Sequence, residues 1–205
     1  MSQVWWYPAA PAAALLGSVL TWAAGAVWGD NIGLGACSYR LPYSPYGPAF
    51  SIWSLIYLWS DVGCVLQFLP EGYTGLPEVN LCAALCWSLC GLWITLFNPR
   101  YRVGIIASGV VIACAAAAAT TAAALDQEAW NTLHWEAILT TAVPNSLLGG
   151  WLVAASSLGL GSAYLAAIGE EPQCEYLPRA ERRQRNRPGD PYAESIRAES
   201  LVPVG

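Results

Sequence analysis

Apolar positions along this chain come in long unbroken blocks, not in the one-sided stripe of a water-soluble helix. Val4 to Gly29 carries no charged residue, and Val103 to Leu125 adds 23 more residues without one. Blocks of this kind predict transmembrane helices, because ~20 residues rising about 1.5 Å each cross the ~30 Å hydrocarbon layer. Five spans are expected: about Ala9–Trp28, Ala49–Leu69, Val79–Phe97, Val103–Leu125 and a last one between Ala137 and Ile168. The final stretch is too long for one straight helix. Pro144 inside it should start or kink the helix, leaving Asn145–Ile168 as the span proper. Only helices or closed barrels satisfy their backbone in lipid, and the alternation of a barrel strand is absent. The expected fold is therefore all-α: a polytopic membrane protein, a bundle of five transmembrane helices within residues 1–168.

Composition points the same way. The chain is 56 % hydrophobic and 11 % charged, against about 25 % charged in an ordinary soluble domain. Its charges also sort by side. There is no lysine, and all nine basic residues are arginines. Arg40 falls in the first connection, Arg100 and Arg102 in the third, and the other six in the C-terminal tail. Glu71, Glu78, Asp126, Glu128 and Glu136 take the opposite side. By the positive-inside rule the N-terminus is expected outside and the C-terminus in the cytoplasm or its organellar equivalent. Four or six spans would scatter the arginines over both faces.

The tail over residues 169–205 is different in kind. Its "RAERRQRNRPGDPYAESIRAES" is polar and charged, so it is expected to be flexible or to fold only on a partner. Its arginines could meet anionic headgroups; setting topology is the plainer role. At the other end, "MSQVWWYP" lacks the basic start of a secretory signal and the arginines of a transit peptide. The first span is thus expected to stay as a helix, with Trp5, Trp6 and Tyr7 in the interfacial belt. Trp28, Trp130 and Trp135, near span ends, are assigned there as well.

Candidate chemistry is sparse. GxSxG, HExxH, CxxCH and phosphate-binding glycine loops are all missing, so no catalytic residue and no metal site is expected. Cys82, Cys86 and Cys90 recur every four residues and share one helix face. The one histidine, His134, falls in a connection. A packing role suits this stripe, and cysteines four apart on a helix are poorly placed for a disulfide. Asp61 stands out as a carboxylate well inside a span. It could serve a ligand or a proton, or it could bond a neighbouring helix.

Tryptophan brings in a resemblance. "PAFSIWSLIYLW" in the second span, with Pro45, Pro48, Phe50, Trp53, Ile56 and Tyr57, resembles the second helix of the translocator protein family. That family is also called tryptophan-rich sensory proteins or peripheral benzodiazepine receptors. "CGLWITLFN" is similar to its third helix through Trp93, Leu96 and Phe97, with Cys90 where an asparagine is expected. "VPNSLLGGWLVAAS" is similar to its fifth through Pro144, Gly150, Trp151 and Ala155. The chain departs from the pattern after that motif, where Ser157, Leu158 and Gly159 replace an asparagine region, and at Asp61, where a small residue is usual. It reads as a divergent member.

The resemblance implies a five-helix membrane bundle that binds a hydrophobic planar ligand, a porphyrin, haem or a sterol-like molecule, without catalysis. The residues it implies for the site are Trp53, Tyr57, Asp61, Trp93, Phe97 and Trp151. Indoles from different helices could converge there and stack on a planar ligand. They could equally be interhelical packing. Porphyrin or haem enters as ligand, with no certain cofactor. Membrane lipid, a homodimer or a larger membrane complex are the expected partner classes, and nucleic acid is not one. The alternative reading is a non-catalytic accessory subunit packed in a larger membrane complex. A transporter or channel is weaker, since the spans offer little polar lining beyond Asp61, Thr95 and a few serines. The membrane could be organellar or a bacterial inner membrane.

Overall fold

A computed structural model describes residues 6–39, 41, 52–69, 76–129 and 135–170. Trp5, Arg40, Pro45, Pro48, Phe50, Glu71, Trp130, His134 and the tail from residue 171 lie outside the described residues.

The described chain is helical throughout. Helix α1 spans Trp6–Trp28, α2 Asp30–Ser38, α3 Ile52–Leu66, α4 Pro77–Leu96 and α5 Arg102–Ala129. A last rod joins α6, Trp135–Ala137, through a π-turn, Ile138–Ala142, to α7, Val143–Ile168. Four segments are long and apolar enough to cross a membrane: Pro8–Trp28, Pro77–Leu96, Arg102–Glu128 and Trp135–Ile168. The described part of the second expected span is shorter. The 15 residues of α3 rise roughly 22 Å. The first connection, read from sequence as a loop, begins with α2, which turns off α1 at Gly29.

The helices close a ring. α1 packs along α4, α4 along α5, and α5 along α7, while α3 completes the circle against α1, the π-turn and α7. The α1–α4 and α5–α7 contacts rest on small residues. A Cβ on Gly109 would lie 2.7 Å from Ala163 Cβ and 2.9 Å from the Gly159 carbonyl, so α5 and α7 meet backbone to backbone. Gly17 fits the same way under Ala84 of α4. Such approach drives association in lipid, where burial of apolar surface between helices gains nothing over lipid contact. Outward positions such as Leu16, Leu20, Leu55, Val62, Val110 and Val153 are exposed and apolar, as a lipid-facing surface requires.

Pro144 behaves partly as expected. It sits in the first turn of α7, but the rod does not break before it. The chain widens into the π-turn instead, and the Val143 N–H bonds the Ile138 carbonyl. That leaves the Leu139 carbonyl without an intrahelical donor, because its next candidate is Pro144, which has no N–H. The Trp59 indole of α3 donates to it at 2.9 Å. Gly63 of α3 lies against the neighbouring Thr140 carbonyl, with no room for a Cβ. The last span is therefore one continuous rod that is fitted to α3 at its irregular turn.

Asp126, expected in the fourth connection, lies inside α5 and is only 2 % exposed. Asn145 of α7 donates to its carboxylate at 2.8 Å. Nearby, Gln67 and Asn80 exchange amide hydrogen bonds of 3.3 and 2.8 Å. These polar pairs tie α5 to α7 and the end of α3 to α4, at the end of the bundle opposite Arg100 and Arg102.

Candidate functional site: an aromatic cavity

Trp53, Tyr57 and Asp61 stand four residues apart on α3 and so share one face. Two of them reach across to α4. Trp53 stacks on Trp93 with ring centres 5.9 Å apart and planes 4° from parallel. Tyr57 meets Trp87 edge-on at 4.3 Å. Trp22 of α1 adds an edge contact to Tyr57 at 5.7 Å. Ring-sized side chains hold the α3 and α4 backbones apart, whereas glycine and alanine draw the other pairs together.

The gap is a cavity of about 400 Å³, lined by Trp22, Gly25, Ile32, Trp53, Tyr57 and Trp93 among others. Ile32 belongs to α2, so the unexpected short helix supplies part of the wall. A Cβ on Gly25 would meet nothing within 4 Å: the missing side chain is part of the space. The volume falls in the range of small-molecule sites, which are concave, mostly apolar and furnished with a few polar groups.

Two polar atoms lie behind the cavity lining. The Trp93 indole N–H and the Tyr57 hydroxyl are buried within residues only 6 % exposed, and the indole has no hydrogen-bond partner. Tyr57 lies beside Cys86 and Cys90. A thiol is a weak acceptor, so the cysteine that replaces the expected asparagine leaves the hydroxyl poorly served. Buried polar atoms are normally paired; the Trp93 indole N–H is an exception.

The six residues singled out from sequence divide into two groups. Trp53, Tyr57 and Trp93 line the cavity. Asp61, Phe97 and Trp151 stand behind it. Phe97 stacks on Trp93 at 5.2 Å and is pressed against Gly35 of α2. Trp151 meets Trp53 edge-on at 6.2 Å. Asp61 accepts a hydrogen bond from the Trp22 indole at 3.0 Å. Trp22 itself was not among the sequence candidates. Its signal was there: one indole followed by Gly25 and Gly29, spaced to share its helix face.

The model of a family described as TSPO-like protein matches residues 9–171. The chain belongs to that family. Comparison with curated proteins and with solved structures finds no match. The matched stretch of this TSPO-like chain runs from the start of α1 to just past α7, and so includes every wall of the cavity. Of the motif residues that carried the resemblance, Trp53, Tyr57 and Trp93 line it. Among the described residues, no group of three His, Cys, Asp or Glu side chains is placed to hold a metal ion.

Proposed function

We propose that this TSPO-like membrane protein binds a hydrophobic planar ligand, a porphyrin, haem or sterol-like molecule, in the aromatic cavity between α1, α3 and α4. The observation that carries this reading is the parallel Trp53–Trp93 stack beside a 400 Å³ space. A planar apolar molecule can extend such a stack. Haem would be held by stacking, because the described residues of the cavity lining include no imidazole or thioether. The function is binding rather than catalysis: the lining has no nucleophile paired with a base.

The topology proposed with it is five spans, α3 included, with the N-terminus outside and the C-terminus inside. Arginine segregation supports this, and places the cavity nearer the arginine-bearing face. Tags after Gly205 and in the Arg100 connection should report one face, and a tag between α5 and α6 the other; separation of the first two overturns the topology.

The binding test is tryptophan fluorescence with added porphyrin. Saturable quenching is expected, and Trp93→Phe and Trp53→Phe should each weaken binding by about 1–3 kcal/mol while the bundle still folds. Trp151→Phe, one ring removed, should weaken it less. Unsaturable quenching, or saturable quenching indifferent to all three changes, would sink the assignment.

A further inference from the structure

We infer that the cavity opens sideways to lipid between α1 and α3, and that Asp61, which stands behind the lining and is bonded to the wall residue Trp22, makes a positively charged amphiphile, a planar apolar body carrying a protonated amine, the preferred ligand. This deepens the proposed function and rests on the cavity being a ligand site.

The opening follows from which lining residues are also exposed. Trp22, Ala26 and Ser54 border the cavity, yet all three reach the outer surface of the bundle, Trp22 with 42 % of its area. They lie on α1 and α3, which pack far more loosely than α1 and α4. A molecule dissolved in the membrane meets this gap without crossing an aqueous phase.

Asp61 lies one helical turn beyond Tyr57 on the same face of α3, the tenth of its 15 residues. One carboxylate oxygen accepts the Trp22 indole N–H, and the other accepts no hydrogen bond. Among the described residues there is little to neutralise it. The chain has no lysine, and Arg102 donates to the Ala167 carbonyl at the end of α7. An unpaired carboxylate within a span is unfavourable and marks a site by default. A ligand ammonium would supply the missing charge. The neighbouring indoles of Trp22 and Trp53 add cation–π attraction, the chemistry by which aromatic cages hold ammonium groups. The same carboxylate would repel a ligand acid, so it discriminates in both directions. Trp22 is the shared part: it walls the cavity and holds the carboxylate.

The test compares pyrenemethylamine with its neutral N-acetyl derivative, both read by energy transfer from tryptophan, on the full chain in zwitterionic nanodiscs. The amine should bind about tenfold tighter than the acetyl compound. Asp61→Asn keeps an oxygen for the Trp22 indole but removes the charge. It should bring the two probes within about twofold of each other and leave N-acetyl binding unchanged. Saturable binding of both probes with no amine preference, or a preference that survives Asp61→Asn, overturns the role of Asp61 while leaving the cavity as a ligand site. If neither probe binds saturably, the ligand-site reading falls and this inference with it. Should Asp61→Asn fail to fold, Asp61→Ser, which also removes the charge, decides by the same criterion.

Discussion

The α5–α7 contact and the α3–α4 gap are built by opposite rules. Between α5 and α7 the facing residues are Gly109, Ile112, Gly159 and Ala163, and an added Cβ on Gly159 would lie 2.7 Å from Ile112. No ring enters. Between α3 and α4 stand Trp53, Tyr57, Trp87 and Trp93, and beside them lies open space. In lipid, helices are held by close packing and interhelical hydrogen bonds. A contact that gives up closeness for indoles must draw its stability from elsewhere in the bundle. Here α1, α4, α5 and α7 form the tightly packed arc, and α3 is the loosely held member that carries one wall of the cavity.

That contrast breaks first at its tight side. Gly109→Leu forces a branched side chain into backbone and Ala163, and should destabilise the bundle by about 3 kcal/mol, the upper range for overpacking. Gly150→Leu, on the same rod as Gly159, is the control, because an added Cβ there meets nothing within 4 Å. Thermal unfolding in detergent should separate the two variants clearly. Equal melting temperatures would mean the α5–α7 contact is not what holds the ring.

The polar pair at the end of that contact should come next. Asp126→Ala leaves the Asn145 amide buried without its acceptor, a loss of about 1–3 kcal/mol. In a double-mutant cycle with Asn145→Ala, the second change should add little to the first. Full additivity in the melts would show that the 2.8 Å bond does not couple the helices.

Much of this contrast could be read from sequence, and the part that could not has physical reasons. Charge-free blocks outlined the rods because lipid imposes length and apolarity on any spanning helix. The motif tryptophans pointed to the cavity because rings on separate helices have few other ways to converge. Trp22 escaped notice because a lone indole on a long apolar helix looks like any lipid-facing residue until the glycines on its face are counted. Asp126 looked like a loop residue because a carboxylate near a helix end is usually solvated, and only Asn145, 19 residues later, makes its burial tolerable. Pro144 announced a break, but whether a chain kinks or widens depends on what the opposing helix offers. Here α3 offers a glycine and an indole.

That last point gives the smallest effect and sharpens the comparison within α3 itself. Trp53 and Trp59 sit six residues apart in one aromatic run and look alike in sequence. Trp53 faces the cavity. Trp59 points to the π-turn and donates to the Leu139 carbonyl, which the missing N–H of Pro144 leaves unserved. Trp59→Phe keeps the ring and removes the donor, so it should lower stability by about 1 kcal/mol, a typical net hydrogen bond. It should leave porphyrin quenching otherwise intact. Trp53→Phe should do the reverse, weakening binding and sparing the melt. If Trp59→Phe instead lowers ligand affinity as much as Trp53→Phe does, α3 moves as one body with its wall, and the division between a holding face and a binding face is wrong.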